Sequence, residues 1–282
     1  MGVGASPVNY RHAAAGGNVL TPTRPSLQAT NATRVTVPLT PHREPAPGTA
    51  EHAAVAVAAQ APPWWPVVWQ RLRRLFWIKL LGISAFMWVF FVAYFHTLRH
   101  PVAPVQTMPL TPLDHAITVQ PLMLAAYLSL WFYVGIAPGL LPGLRALLVY
   151  GAWAAALCLV GLAIFYVYPT AVPRMDLPVD VAQHPGFVML QGVDAAGNAC
   201  PSLHVATALF TALWLQRLLT ALAVPRWLRV GNVLWVLLIV YSTLAIKQHV
   251  VLDALAGAAL GALFAWASMR WFPPPLHQRV GT

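Results

Sequence analysis

Two short stretches hold the residues best suited to chemistry, Cys200 to His204 and Ser242 to Asp253. Each lies where a long apolar run meets a polar loop. Ionisable groups are expensive at such a boundary, so His204, Lys247, His249 and Asp253 read as parts of a functional site. His249 and Asp253 are four residues apart on one helical face, so the carboxylate can accept from one ring nitrogen and leave the other free. A histidine held in one tautomer can serve as nucleophile or general base. Pro201-Ser202-Leu203-His204 reads as the opening of a helix, with the proline in its first turn. The first-turn amides and the positive end of the helix dipole then face an incoming anion. Ser202 adds a hydroxyl donor and His204 a second imidazole. With Arg174 and Lys247 as cations on the same side, the set fits an oxyanion carrying several charges, which points to phosphate. Two histidines and one aspartate could also ligate zinc, but the adjacent cations would repel the metal, so no metal is expected. No dinucleotide or ATP loop is present, and no cofactor is expected. Taken singly, each residue has a plainer reading: a histidine at a helix end, a snorkelling Lys247, a solvated Arg174.

The frame that must position these groups is a membrane one. The chain has 282 residues, 59% hydrophobic and 9% charged, with a mean hydropathy of +0.64. Six apolar runs, near 75–95, 117–137, 146–168, 202–223, 230–247 and 249–270, approach the length a helix needs to cross a bilayer. The second is interrupted by Pro121 and ends at Pro138-Gly139, so a re-entrant or amphipathic piece is its alternative. The net charge of +10 does not imply nucleic acid, because the basic residues cluster at run ends. Ten Lys and Arg fall on one set of connections and three, Arg99, Arg174 and Lys247, on the other, the remaining four lying in the amino-terminal region. The positive-inside rule then places both termini in the cytoplasm and the site on the extracytoplasmic side, in a bacterial inner membrane the periplasmic face. Residues 1–63, rich in Ala, Pro, Thr and Gly, read as a disordered cytoplasmic tail without a signal peptide. Residues 64–272 form the expected membrane domain and 273–282 a short cytoplasmic tail. Trp64, Trp65 and Trp69 beside Arg71, Arg73 and Arg74 read as an interfacial approach to the first span. Cys158 and Cys200 lie in unlike surroundings, so no disulfide is expected. The loop at 169–201, the longest of the membrane portion, lies over the site. Gly257 and Gly261 should let another helix approach the sixth span closely.

On these residues the chain resembles the type 2 phosphatidic acid phosphatase (PAP2) superfamily, and within it the inositolphosphotransferase and sphingolipid-synthase-like branch. That superfamily's second motif, Pro-Ser-Gly-His, appears as Pro201-Ser202-Leu203-His204, with the Leu typical of the branch. Its third, Ser-Arg followed by His and Asp, appears as Ser242-Thr243, His249 and Asp253 at the family's spacing, with Gln248 in the local wording of the branch. The first is represented only by 168–174, ending in Arg174, with Val167 at its Lys position; Thr243 replaces the third-motif Arg. The resemblance implies an all-α, polytopic PAP2-like bundle of six transmembrane helices. It implies that His249, oriented by Asp253, forms a phosphohistidine and that His204 serves as acid and base. Arg174, Lys247 and Ser202 would bind the phosphate, and Ser242, Thr243 and Gln248 would be accessory.

The shortage of cations favours a monoanionic diester over a dianionic monoester, hence a membrane phospholipid as donor with a lipid alcohol, polyol or water as acceptor. A lipid-phosphate phosphatase acting on phosphatidate or a polyprenyl phosphate is the alternative. A non-catalytic scaffold or transporter is a third, disfavoured because the polar groups gather at one face rather than at mid-membrane.

Overall fold

The computed structural model describes residues 63–173 and 197–271. The expectations for residues 1–62, Arg174 with the rest of 174–196, and 272–282 lie outside the described residues. The chain divides into two units at residue 60, and every described residue belongs to the second.

The described residues are overwhelmingly helical. A short helix α1 (Trp64–Arg73) precedes α2 (Phe76–Arg99). After β1 (Gln106–Thr107) come α3 (Pro112–Ala116), α4 (Met123–Leu128) and α5 (Leu130–Gly139). The remaining elements are α6 (Leu144–Val167), β2 (Thr170–Ala171), α7 (Leu203–Ala221), α8 (Arg226–Ala245) and α9 (Val251–Trp271). Among the described residues, four helices are long and apolar enough to cross a membrane: α2, α6, α8 and α9. The second apolar run is realised as α4 and α5, a shorter apolar stretch over Met123–Gly139.

The run expected as the fourth span, α7, is not among those four. Eleven of its nineteen residues are buried, and His204, Thr207, Thr211 and Gln216 dilute its apolar character. It is the axis on which α5, α8 and α9 pack. Small residues make that packing possible, as expected for helices that meet in lipid. A Cβ on Gly257 would fall 2.2 Å from the Ser202 carbonyl oxygen, and one on Gly261 2.3 Å from that of Ala206. The close approach anticipated at these two glycines is therefore made against α7. Buried polar side chains add direction to the packing: Asn232 of α8 donates to Ala212 O and Gln216 Oε1 and accepts from Tyr133 OH, and Trp214 Nε1 donates to Ser268 Oγ. By contrast α2 buries only Lys79 and Leu98.

The two ends of the bundle are tied differently. At one end the Lys79 ammonium donates to the carbonyls of Arg71, Gly139 and Leu141, at 2.7 to 2.9 Å, and so joins α1 and α2 to the end of α5. At the other, β1 pairs in parallel with β2, Gln106 opposite Thr170, and Thr170 bridges to Asn198. Gln120 N donates to Ala245 O at the same end. The loops before α4, after α6, before α7 and between α8 and α9 thus gather around one opening.

Candidate active site

The α8–α9 turn is built by backbone chemistry. Lys247 has φ +60, and its amide donates to Leu244 O while that of Gln248 donates to Thr243 O. This is a Schellman ending, with Lys247 in the left-handed position that usually belongs to glycine. A non-glycine residue there costs about 1–2 kcal/mol. The Lys247 ammonium offsets it by donating to Asp114 O at 2.7 Å and Ile117 O at 2.6 Å. Thr243 O also accepts from the His249 amide, so the end of α8 fixes the backbone from which His249 projects.

Asp114 completes the staple. One carboxylate oxygen accepts from Val251 N at 2.8 Å, the start of α9, and the other from Thr111 N and Oγ1 at 2.7 and 2.6 Å. Burial works against the charge, but the donors from Thr111 and Val251 and the Lys247 ammonium outweigh it and hold this carboxyl below its ordinary value. Lys247 is held below its own ordinary value by burial, against the attraction of Asp114. Sequence reasoning missed Asp114. The signal was Thr111-Pro112-Leu113-Asp114, a capping box with proline at the first helical position, and it is realised in α3.

Against this frame the catalytic candidates fall into place. His249 precedes α9 rather than lying on it, yet its Nδ1 donates to Asp253 Oδ2 at 3.0 Å. With Nδ1 carrying the proton, Nε2 keeps its lone pair. Asp253 is fully buried and His249 nearly so. His204, in the first turn of α7, lies under the same opening, near enough for the two imidazoles to interact electrostatically. Its ring stacks on Tyr127, with centroids 4.0 Å apart and planes 11° apart, and meets Trp131 edge-on at 6.0 Å. A backbone hydrogen bond to Tyr127 holds one side of the ring. Its Nε2 is buried and has no partner among the described residues. Tyr127 and Trp131 were also missed; four apart in the interrupted second run, they could be read only once that run was known to pack on α7.

His204, His249 and Gln248 line one cavity of about 570 Å³. The other expected residues are placed differently. Ser202 is the N-cap of α7: its Oγ accepts from Val205 N at 3.2 Å and its amide donates to Asp253 O at 2.9 Å. The helix therefore begins at Leu203, and Pro201 stands before the cap instead of in the first turn. Ser242 and Thr243 donate to Ile239 O and Val240 O of their own helix. Lys247 turns to the carbonyls of Asp114 and Ile117 at the end of α3. Ser202, Ser242, Thr243 and Lys247 are not among the described residues that line this cavity. Cys200 is half-buried beside this group, and burial first, then the charge of Asp253, push its thiol up, which makes it a poor rival nucleophile.

No curated protein and no solved structure matches the chain. A family model does: residues 152–275, which carry Ser202, His204, His249 and Asp253, match the PAP2 superfamily, a similarity that suggests lipid phosphatase or phosphotransferase activity on a lipid phosphate.

Proposed function

We propose that the protein is a membrane phospholipid headgroup phosphotransferase working through a phosphohistidine on His249. The observation that carries this is the hydrogen bond from His249 Nδ1 to a buried Asp253, which leaves Nε2 its lone pair on a cavity also lined by His204, whose Nε2 has no partner among the described residues. His249 Nε2 attacks phosphorus while the bond from phosphorus to the leaving oxygen breaks. His204 in its protonated form, stacked on Tyr127, gives its proton to that oxygen. In the second half His204 takes the proton of an acceptor hydroxyl, whose oxygen attacks phosphorus as the phosphorus–nitrogen bond breaks. Arg174 is assigned the charge on the equatorial oxygens, and the sequence uses no metal for this chemistry.

Transfer between alcohols is preferred to hydrolysis of a monoester because, among the described residues lining the cavity, none is Lys or Arg. A monoanionic diester needs less compensation than a dianionic monoester. Six spans are assigned: α2, the α4–α5 pair, α6, α7, α8 and α9. The Lys and Arg residues near Lys79, Arg145, Arg226 and Arg270 support cytoplasmic termini and a site on the periplasmic face of a bacterial inner membrane.

The test supplies purified protein with a headgroup-labelled phosphodiester lipid plus a polyol or lipid alcohol, and in parallel with a phosphomonoester lipid. Label appearing on the acceptor supports transfer. Release of inorganic phosphate from the monoester alone assigns a lipid-phosphate phosphatase instead.

A further inference from the structure

The helix α1 takes no part in the histidine site and is too short to cross a membrane, yet it is held firmly in place. Leu75, with φ +58, breaks the chain direction between α1 and α2, so α1 is a separate element and not the first turns of a span. A leucine is costly in that left-handed conformation, and the bonds around it offset the cost. Lys79 Nζ, at the first turn of α2, donates back across the break to Arg71 O and sideways to Gly139 O and Leu141 O at the end of α5. Arg71 Nη1 donates to Leu140 O between them. Val68 and Leu72 of α1 pack against the core.

With that face committed, α1 turns a different set outward. Trp65 and Trp69 are 60% and 57% exposed, and with the exposed Arg73 they stand four residues apart on one stripe. The Arg73 guanidinium lies 5.9 Å over the Trp69 ring. Arg74, Phe76 and Trp77, at the break and just past it, are exposed as well. Indoles beside guanidiniums on a helix that does not span suit the layer where headgroups meet acyl chains. The charge at this end of the bundle has one sign. Among the described residues the acids are Asp114 and Asp253, both engaged at the opening beside the histidines. The start of α6, the start of α8 and the finish of α9 lie at the other end, so Arg145, Arg226, Arg229 and Arg270 join Arg73 and Arg74 there. No carboxylate among the described residues answers these cations, so their countercharge comes from outside them.

We propose that the outward face of α1 is a docking surface for anionic phospholipid headgroups, in the leaflet at the end of the bundle opposite the histidine pair. Trp65 and Trp69 seat among the upper acyl chains, and Arg73 and Arg74 take the headgroup charge. A zwitterionic lipid offers the same apolar contact but no net charge, so the surface selects lipids by charge. Because Lys79 and Arg71 already fix α1 against α5, docking does not have to order the helix. The surface is independent of the chemistry at His204 and His249.

The experiment places the full-length protein in phosphatidylcholine nanodiscs with a trace of lipid carrying a diazirine near its headgroup, either phosphatidylglycerol or phosphatidylcholine. Adducts are mapped by mass spectrometry after irradiation. The phosphatidylglycerol probe is expected to label residues 65–77 well above the phosphatidylcholine probe, and the ratio to fall as salt rises. Arg73→Gln combined with Arg74→Gln should lower that ratio about 25-fold, about fivefold for each arginine at an anionic surface. Arg73→Lys combined with Arg74→Lys should keep most of it, and Arg99→Gln, at the opposite end of α2, should leave it unchanged. Equal labelling by the two probes would overturn the proposal, as would a ratio unmoved by the glutamine pair or lost as fully in the lysine pair. Labelling of 65–77 by neither lipid would mean that another part of the chain or a second copy covers the face, and would overturn it too.

Discussion

Alanine at Gly257 tests whether the site depends on the contact between α7 and α9. The new Cβ would stand 2.2 Å from Ser202 O, a backbone atom that no side-chain rotation can move. Ordinary contact begins at 3.4 Å, so the two backbones must part by about 1.2 Å. The same strip carries the bond from Ser202 N to Asp253 O at 2.9 Å, which that movement breaks. Because His204 rides on one helix and Asp253 on the other, the displacement passes directly into the spacing of the histidines. A misplacement of about 1 Å costs on the order of 100-fold in rate. Overpacking adds a loss of about 1–3 kcal/mol in stability. The assay is single-turnover phosphoryl transfer in detergent micelles, beside thermal unfolding. Gly231→Ala is the control: its Cβ meets nothing within 4 Å among the described residues, and it should stabilise α8 by about 0.5–1 kcal/mol with the rate unchanged. A Gly257→Ala protein that keeps most of its rate would refute the reasoning that the glycine sets the site's geometry.

Asp253→Asn should lower kcat on the order of 10³–10⁴-fold with little change in KM, since the amide no longer fixes the His249 tautomer; steady-state kinetics checks it. Asp114→Ala leaves the Val251 and Thr111 amides without their acceptor and should cost about 1–3 kcal/mol in thermal or denaturant unfolding. The Asp114 carboxyl is held below its unfolded value of 3.8, so its contribution is complete above that pH and lost as pH falls through the lower folded value. Wild-type stability should accordingly fall below about pH 4 more steeply than that of Asp114→Ala. Lys247→Met should destabilise the protein without raising KM for the lipid, and Lys247→Gly should be the milder change because it relieves about 1 kcal/mol of left-handed strain. A selective rise in KM would assign Lys247 to phosphate binding.

Much of the site was legible because its signals are local. The spacing of His249 and Asp253 predicts their bond, although His249 proves to lie in the turn before the helix. The glycines of α9 announce a close approach, and the end of the fifth run and start of the sixth place the turn between them. What sequence reasoning missed is set by contacts far apart in the chain. Lys247 looks like a cation free to meet phosphate, yet its ammonium is fixed by carbonyls more than a hundred residues away. Asp114 looks like a loop charge, and its value comes from α9. The α7 run was read by hydropathy as a span like the others, but its burial at the axis of the bundle lets it carry the polar residues that keep it out of the four apolar helices.

The central claim is tested most directly by trapping the covalent intermediate. Enzyme mixed with lipid labelled at phosphorus and quenched in base should carry the label on the peptide containing His249, and lose it in His249→Ala. Acid-labile, base-stable label on that peptide is the result predicted. Turnover proceeding at the wild-type rate in His249→Ala, or label found on another residue, would contradict the account.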